Sequence, residues 1–381
     1  MTSERPILLA GVPGHSLALY HRIRFSASDP ASYIDIPGEG STLIIRDIEV
    51  GRASRHAKAD RVFKYEDFDV KGGLSGDRET RVAEATAECL RRAGLEEVWA
   101  DRTLPLIFAH HCEAVGVRVR YDPDLAVRER RSKDEQEVEH LRHAQAVTEK
   151  AMELACKTIA RASASADGTL IHDGEPLTSE RVRTLVDALL LEHNFENPHG
   201  TIVASGRTSS DCHDRGSGEI RTGEPVIIDI FPRDKDTMYH GDCTRCVVHG
   251  DVPEAYARMH ETVQRSKRAA IEATRAGMTG EGVHNAAIVV IKEAGYRTGV
   301  PEAGDEAISM VHGTGHGIGL DVHEPPLLDV GGPELVEGDA ITIEPGLYGT
   351  AIGGVRLEDM VIVRAGGCDN LNTLHDGLDW T

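Results

Sequence analysis

The chain has 381 residues, of which 40% are hydrophobic and 28% charged, the composition of a globular protein with two or three domains. Its formal net charge is 42 − 63 = −21, and only 4% of its residues are aromatic. A chain this acidic and this poor in aromatic residues excludes nucleic acids and anionic membranes as expected partners.

The acidity is concentrated in the C-terminal two thirds of the chain. Residues 1–121 have 17 basic and 18 acidic side chains, a net of −1. The remaining 260 residues have 25 basic and 45 acidic side chains, a net of −20. This excess is either a solvated surface or, in part, a group of carboxylates that holds cations.

Several features predict a cytoplasmic protein. No apolar run reaches the ~18 residues of a membrane span, and Pro13 and Gly14 interrupt the apolar patch Ile7–Val12, so no signal peptide is expected. Seven cysteines, an odd number, predict reduced thiols. Cys243 and Cys246 have CxxC spacing, but residues three apart in a strand face opposite sides, which argues against a redox or zinc role.

The first 125 residues predict a small α/β domain. Its predicted elements are two strands and a helix, Thr42–Val50, Arg61–Phe68 and Asp77–Ala93. Asp77 is placed to cap the helix and Gly94 to end it. The sequence Tyr121-Asp-Pro-Asp predicts a turn, which marks the boundary between domains over 1–125 and 126–381.

The second domain is predicted to alternate helices with short strands. A capping box of Ser132 and Glu135 predicts a long helix, whose apolar stripe runs from Val138 to Ile159. Three further helices are predicted at Thr178–His193, Pro253–Ala276 and Glu281–Ala294. The predicted strands are Thr201–Ala204, Val226–Ile230, Cys243–Val248, Ala340–Ile343 and Val355–Val363.

Four acidic residues stand at these apolar strands, in two successive pairs: Asp229 and Asp242, then Glu344 and Glu358. The repetition predicts two similar halves that face each other. A buried charge must be paired or bind a metal, and four adjacent carboxylates cannot all stay ionised without cations. Two divalent ions would balance a charge of −4, which favours a dinuclear site. Taken alone, each Asp is also compatible with a turn or a salt bridge, and Arg245 is an available partner for Asp242.

His316, in the sequence His312-Gly-Thr-Gly-His-Gly-Ile-Gly, offers a nitrogen ligand beside glycines that permit close approach. The sequence is not a dinucleotide fingerprint, because Ile318 and Val322 stand where the third glycine is required. Nor is His323-Glu-Pro-Pro-Leu327 a zincin helix, because position 327 is leucine and two prolines prevent a helix.

Six fragments now stand in the order of a known family. They are Asp229, Asp242 in DxTR, His316 in GTGHGIG, His323 in VHEPP, Glu344 in IEPG and Glu358 in VRLED. Together they resemble the pita-bread dinuclear metallopeptidases, which include methionine aminopeptidase, aminopeptidase P, prolidase and the metal-free relative creatinase. The resemblance covers about Ser132–Thr373. The domain in front resembles, in architecture, the N-terminal domain of the aminopeptidase P, prolidase and creatinase branch, which methionine aminopeptidases usually lack.

The resemblance implies an α/β (α+β) fold in which a smaller creatinase-like domain, with a role in oligomerisation or substrate access, precedes a pita-bread catalytic domain of two pseudo-symmetric halves. It implies that Asp229 chelates one metal ion, that Asp242 and Glu358 bridge two, and that His316 and Glu344 bind the second. Mn²⁺ is the expected ion, with Co²⁺, Fe²⁺ or Zn²⁺ as alternatives. A hydroxide bridging the two ions would attack the scissile carbonyl, and Glu344 would carry its proton to the leaving nitrogen.

The resemblance further implies a histidine upstream of Asp229. We assign this place to His213, with His199 as the competitor, and pair His213 with His323 for substrate and transition-state binding. Without the surrounding motifs, the two would be a surface-loop histidine and a turn histidine. Arg356 matches an arginine that engages substrate in the prolyl-specific branch. A salt bridge from Arg356 to Asp359 or Glu358 is the alternative.

One spacing departs from the family. Its two aspartate ligands are usually about eleven positions apart, whereas Asp229 and Asp242 are thirteen apart. Counting eleven ends on His240, which is therefore an alternative ligand. The DxTR sequence favours Asp242, with a two-residue insertion in the predicted Phe231–Tyr239 hairpin.

The implied function is that of a metal-dependent exopeptidase that cleaves Xaa-Pro bonds, either an Xaa-Pro aminopeptidase or an Xaa-Pro dipeptidase. Its substrate would be a peptide with proline at the second position, and its assembly a homodimer. Two alternatives are a non-catalytic binding module on the same fold and a creatinase-like amidinohydrolase. The intact ligand set counts against both, because the first would have lost ligands and the second works without metals.

Overall fold

The computed structural model describes residues 5–302 and 305–381. The chain divides into two compact units, Met1–Arg130 and Arg131–Thr381. The division falls after the expected boundary at residue 125, because Leu125 and Ala126 are buried in the apolar core of the first unit. No helix within the described residues is long and apolar enough to cross a membrane.

The first unit is a mixed six-stranded sheet with helices. Its strands are β1 (Ile7–Gly11), β2 (Ala31–Ile36), β3 (Gly40–Ile45), β4 (Arg61–Lys64), β5 (Glu97–Ala100) and β6 (Arg118–Tyr121), in the order β4-β3-β2-β1-β5-β6. Its helices are α1 (Leu17–Ile23), α2 (Asp47–His56), α3 (Arg78–Arg92), α4 (Leu106–Ala114) and α5 (Val127–Arg131), with a 3₁₀ turn over Tyr65–Phe68. Two separate apolar clusters flank the sheet, which is the arrangement of an α/β layer structure.

The structure confirms the predicted helix in this unit and shortens both predicted strands. The side chain of Asp77 accepts a hydrogen bond from the backbone N–H of Thr80, and Gly94 has a φ of +69° just after the helix. The expectation of a strand over Asp47–Val50 was wrong, because α2 starts there. Asp47 and Glu49 lie in the first turn of α2, where acidic side chains favour a helix.

The second unit contains four long helices: α6 (Glu135–Ala160), α7 (Ser179–Glu192), α8 (Glu254–Ala273) and α9 (Gly280–Glu293). The capping box of α6 is formed by Asp134 and Glu137, not by Ser132 and Glu135. Ser132 is engaged elsewhere, because its hydroxyl donates to the carbonyl of Glu337 at 3.1 Å.

The strands of the second unit are mostly short. They are β7 (Ser163–Ala164), β8 (Leu170–His172), β9 (Glu175–Pro176), β10 (Phe195–Glu196), β11 (Ile202–Ser205), β12 (Pro225–Ile230), β13 (Arg233–Asp234), β14 (Cys243–Val248), β15 (Arg297–Thr298), β16 (Ser309–Met310), β17 (Gly315–Gly317), β18 (Glu324–Leu328), β19 (Ala340–Ile343), β20 (Gly346–Gly349), β21 (Gly353–Arg356), β22 (Asp359–Arg364) and β23 (Gly367–Asn370), with a 3₁₀ turn over Gly206–Ser210. The larger sheets have the orders β11-β12-β14, β15-β16-β20-β21 and β18-β17-β19-β22-β23.

The predicted pair of similar halves is present. In the first half, β12 and β14 are antiparallel and their last register pair joins Ile230 to Cys243. In the second half, β19 and β22 are antiparallel and the corresponding pair joins Ile343 to Asp359. Each antiparallel pair therefore carries its acids at one end: Asp229 and Asp242 in one half, Glu344 and Glu358 in the other.

The predicted strand Val355–Val363 is instead two strands. It breaks at Leu357 and Glu358, because β21 pairs with β20 whereas β22 pairs with β19. Glu358 thus lies where the chain passes from one sheet to the next.

The two cysteines of the CxxC sequence lie in different apolar clusters on the two sides of β14. Both are buried and free. The predicted opposite orientation is confirmed.

Candidate metal centre

The acids of the two antiparallel strand pairs meet a histidine from β17 in one buried site. Asp242, His316 and Glu358 each place a ligand atom within 4.8 Å of the others. Oε1 of Glu344 lies 3.2 Å from Nε2 of His316, and Asp229 lines the same cavity. The structure therefore brings together all five residues that the sequence proposes as ligands.

Burial and mutual repulsion dominate the electrostatics of this cluster. Burial raises the pKa of Asp242 and of Glu358 well above the ordinary values, and the charges of neighbouring carboxylates raise them further. Burial also raises the pKa of Asp229, against the opposing charge of Arg356. The cluster thus has more negative charge than the side chains around it neutralise.

His316 is oriented by its neighbours. Its Nδ1 lies 3.1 Å from the carbonyl oxygen of Gly317, which can only accept, so Nδ1 has the proton and Nε2 faces Glu344. The hydroxyl of Thr342 accepts from the backbone N–H of His316 at 3.1 Å and lies 3.3 Å from Oε1 of Glu344. Although burial favours the neutral acid, His316 with a second proton on Nε2 lowers the pKa of Glu344 to about 2 through its hydrogen bond and its charge.

The residues present fit divalent metal ions. Oδ1 of Asp229 is buried and has no hydrogen-bond partner among the described residues, while Oδ2 accepts from Arg356 at 2.6 Å. An unpartnered carboxylate oxygen inside an excess of negative charge is the arrangement that a cation would satisfy. Carboxylates with one imidazole are suitable ligands for Mn²⁺ and its first-row neighbours.

The side-chain amide of Gln145 holds the backbone of Asp242 in place, and the side chain of Asn372 extends this hydrogen-bond network. The side chain of Gln145 accepts from the backbone N–H of Asp242 at 2.9 Å and donates to its carbonyl at 2.7 Å. The same Nε2 donates to Oδ1 of Asn372 at 3.0 Å, which also accepts from the backbone N–H of Met360 at 2.8 Å. The network therefore links a ligand of the first half to the strand that follows Glu358 in the second. Sequence reasoning missed Gln145, whose one signal is a polar residue next to the apolar stripe of α6.

Arg356 is buried at the rim of this cluster, and each of its three guanidinium nitrogens has a hydrogen-bond partner. It donates to Asp229, to the hydroxyl of Tyr348 at 2.8 Å and to the carbonyl of Cys212 at 3.1 Å, and its Nε lies 3.3 Å from Oγ1 of Thr244. The hydroxyl of Thr244 also donates to Oε2 of Glu358 at 2.8 Å.

The expected alternative partners of the two arginines were wrong. Asp359 pairs with Arg245 at 2.9 Å and with Lys267 at 2.8 Å, not with Arg356. Arg245 does not pair with Asp242, because the two residues are three apart along an extended segment and face opposite sides.

The metal-site residues line a cavity of about 500 Å³. Four histidines that are not among the proposed ligands also line it, His199, His213, His312 and His323. The ring of His323 stands nearly perpendicular to that of His316, with centroids 4.3 Å apart. Both His213 and its competitor His199 reach the cavity, so placement alone does not choose between them.

His240 does not belong to the cluster of ligand atoms that the described residues form. Its backbone N–H donates to the carbonyl of Gly319 at 2.9 Å, and burial lowers the pKa of its imidazole to about 4. The extra residues of the hairpin form a turn that is closed by a hydrogen bond from Asp234 to Tyr239. This turn leaves Asp229 opposite Thr244, two residues from Asp242.

Sequence reasoning missed His312, which lines the cavity, and Tyr348, whose hydroxyl contacts His312 and Arg356. Nε2 of His312 lies 2.8 Å from the hydroxyl of Tyr348, and its Nδ1 lies 2.7 Å from the carbonyl of Gly313. Burial lowers the pKa of His312. A signal existed, because His312 stands four residues before His316 and Tyr348 four residues after Glu344.

Comparison with known proteins gives consistent relatives. Residues 139–365 match metallopeptidase family M24. The Xaa-Pro dipeptidase of Pyrococcus furiosus is 30% identical over 352 residues, which cover 91% of this chain and 89% of the relative. The probable dipeptidase PepE of Mycobacterium tuberculosis is 31% identical over 377 residues, which cover 96% and 90%.

Solved structures of similar proteins have the same fold as this chain. The prolidase from Pyrococcus furiosus superposes with a TM-score of 0.76 at 26% identity, covering 97% of this chain and 96% of that one. The X-Pro aminopeptidase from Thermotoga maritima has a TM-score of 0.79 at 23% identity, covering 98% and 97%, and supports the fold alone. These structures have an N-terminal domain followed by a pita-bread domain, the architecture that the sequence predicts.

Proposed function

Because the chain belongs to metallopeptidase family M24, we propose that it is a metal-dependent exopeptidase that hydrolyses Xaa-Pro bonds. The observation that carries the proposal is the buried cluster of four carboxylates and one imidazole, which lacks the positive charge to neutralise it. The relatives named Xaa-Pro dipeptidase and prolidase support the substrate class.

Five residues would hold two divalent ions: Asp229, Asp242, His316, Glu344 and Glu358. When bound, such ions supply Lewis-acid activation of a carbonyl and of a water molecule. We propose Mn²⁺ as the physiological ion, with Co²⁺, Fe²⁺ and Zn²⁺ as alternatives, because this donor set suits all four.

Side chains of the protein would perform the proton transfer and bind the substrate. Glu344 is ionised at neutral pH and lies in the cavity, so it can accept a proton and pass it to the leaving nitrogen. His213 and His323 line the same cavity and would bind the substrate carbonyl. Arg356 positions Asp229 through its 2.6 Å ion pair and presents part of its guanidinium to the cavity, where it would also contact substrate.

The deciding experiment compares Ala-Pro and Ala-Pro-Leu with Ala-Ala and Ala-Ala-Leu after loading with Mn²⁺ or Co²⁺. We expect release of alanine from at least one of the two proline peptides and at least ~100-fold lower kcat/KM for its proline-free counterpart. Metal analysis of the loaded protein tests the non-catalytic alternative, which requires no bound metal. Faster turnover of creatine than of any of these peptides would favour the amidinohydrolase instead.

The histidine assignment has its own test. His213→Ala should retain metal and lose about 10²-fold or more in kcat/KM, because a substrate-binding and proton-transferring group is removed. His199→Ala is the matched variant, since His199 lines the same cavity. Full activity in His213→Ala together with a large loss in His199→Ala would exchange the two roles.

We also propose a cytoplasmic homodimer. All seven cysteines are free, which supports a reducing compartment, and the dimer follows from the resemblance to the aminopeptidase P and prolidase branch. Cell fractionation and light scattering on the purified protein test the two statements separately.

A further inference from the structure

A second cavity, of about 410 Å³, adjoins the metal-site cavity. It is lined by His323–Leu327 and Val330–Pro333, and most of its wall is apolar. His323 and Leu327 line both cavities, so the two are adjacent. We call the second cavity the Leu327 groove.

The register of the sheet places Leu327 beside the metal site. In the antiparallel pair of β17 and β18, Leu327 stands directly opposite His316. Directly opposite residues project from the same face with Cβ atoms about 4.5–5.5 Å apart. The side chain of Leu327 nevertheless stays 58% exposed, and that of Val330 is 80% exposed. A ligand that leaves the metal-site cavity along this wall meets apolar surface.

The groove is built on a fixed backbone. Its far wall is anchored on the start of α9, where the backbone N–H of Gly280 donates to the carbonyl of Pro333 at 2.7 Å. A Cβ on Gly280 would come within 2.2 Å of the carbonyl oxygen of Leu327, so glycine allows this close packing. A preformed apolar wall binds a side chain without an ordering cost to the protein.

Positive charge is scarce along this route. Among the described residues that line the two cavities, Arg356 is the one lysine or arginine, and its guanidinium pairs with Asp229. Asp321 and Asp329 line the metal-site cavity as further acids. Glu324 of the groove is paired with Lys133 at 2.5 Å. Apart from the proposed metal ions and Arg356, which pairs with Asp229, a free carboxylate just after proline would therefore meet no lysine or arginine on these walls.

We propose that this enzyme prefers peptides of three or more residues over Xaa-Pro dipeptides, and that the Leu327 groove binds an apolar side chain that follows the proline. The inference rests on the proposed function. An exopeptidase that removes the first residue leaves only the C-terminal side of its substrate to extend out of the cavity, so the groove receives that side.

The first test compares four substrates of the Mn²⁺-loaded wild-type enzyme: Ala-Pro, Ala-Pro-amide, Ala-Pro-Gly and Ala-Pro-Leu. The amide removes the carboxylate without adding length, which separates charge from groove contact. We expect kcat/KM to rise in that order, with Ala-Pro-Leu at least ~10-fold above Ala-Pro, since burying a leucine side chain is typically worth a factor of this size or more. An Ala-Pro value equal to or above that of Ala-Pro-Leu would overturn the proposal.

Variants then locate the effect. Leu327→Arg places a cation beside the expected carboxylate, so it should raise kcat/KM for Ala-Pro about 10-fold and lower it for Ala-Pro-Leu. Val330→Ala should lower the ratio of Ala-Pro-Leu to Ala-Pro-Gly about 3-fold. Val300→Ala is the matched control, because Val300 is 81% exposed and lines neither cavity. An unchanged ratio in Val330→Ala together with unchanged Ala-Pro turnover in Leu327→Arg would contradict the groove.

Binding measurements distinguish a failure of the Leu327 groove proposal from a failure of the proposed peptidase function. If none of the four peptides is cleaved, the proposed function fails, and the groove is tested by calorimetry with reduced-amide analogues of Ala-Pro and Ala-Pro-Leu. The longer analogue should bind at least ~10-fold more tightly, and Leu327→Arg should remove most of that difference. Equal affinities of the two analogues for the wild-type protein would refute the inference independently of catalysis.

Discussion

Glu358 and Asp359 are neighbours in the chain, both are buried, and their environments are opposite. Asp359 accepts hydrogen bonds from Arg245, Lys267 and Asn370. Although burial favours the neutral acid, the charges of Lys267 and Arg245 lower the pKa of Asp359. Glu358 accepts from the hydroxyl of Thr244 and faces other acids, and its pKa is raised.

The difference distinguishes Asp359, whose charge is neutralised by side chains of the protein, from Glu358, whose charge is available to a bound cation. On one side of the strand the fold neutralises a buried carboxylate with its own side chains. On the other side, within the described residues, neither Glu358 nor Asp242 forms an ion pair with a lysine or arginine. Because an uncompensated buried charge is costly, this arrangement favours the binding of metal ions, which would neutralise the two carboxylates.

The largest expected effect comes from Glu358→Gln. Removal of a carboxylate that is proposed to bind both metal ions should lower activity by about 10³-fold or more, and lower the bound metal measured by elemental analysis. The metal-free protein should keep its stability in urea denaturation, because a repelling charge is removed. Asp242→Asn should behave in the same way. A variant that binds two metal equivalents would contradict the assignment.

Asp359→Asn should give the converse result. Removing the carboxylate leaves Arg245 and Lys267 without their shared buried partner, so the free energy of unfolding should fall by about 3 kcal/mol. Urea denaturation of the metal-free protein measures the loss. A smaller loss than that of Glu358→Gln would contradict the contrast between the two acids.

Gln145→Leu should have a more moderate effect on the metal site. Without its amide, the backbone of Asp242 loses two hydrogen bonds, and apparent Mn²⁺ affinity should fall about 10- to 100-fold. Gln264→Leu is the matched control, because Gln264 binds Asp376, away from the proposed ligands. Calorimetric titration with Mn²⁺ distinguishes the two variants. Equal affinities would assign Gln145 a purely structural role.

The smallest expected effect is on the pH dependence of stability, and it concerns Asp376, which pairs with the same lysine as Asp359. Although partial burial favours the neutral acid, the charge and hydrogen bond of Lys267 lower the pKa of Asp376 to about 2. The ionised form thus contributes stability above the ordinary pKa of 3.8, and the contribution is lost as the pH falls toward 2. Asp376→Asn should flatten the fall in urea midpoint between pH 4 and 2, and an unchanged slope would contradict this.

The excess of acidic residues divides in the same way. Of the net −20 beyond residue 121, four carboxylates belong to the metal-site cluster. Others, such as Asp359, are paired with buried cations, and many more are exposed on helices. Only a small part of the negative charge therefore contributes to the proposed cation-binding site.

The sequence by itself determined the family and the identity and order of the proposed metal-site residues. This was possible because metal coordination restricts side-chain type, and the residues stand in short motifs whose local spacing is informative. It also predicted the four long helices of the second unit, the strand that contains Asp229 and the strand that follows Asp242, since apolar periodicity and caps are local signals.

Only the tertiary structure decided which charges pair and which do not. Arg245 and Asp359 are more than a hundred residues apart, as are Arg356 and Asp229, so no spacing in the sequence could join them. The break of the strand at Glu358, the hold of Gln145 on Asp242 and the position of Leu327 opposite His316 depend likewise on strand register. Register is set by long-range packing, and it decides which side chains share a face.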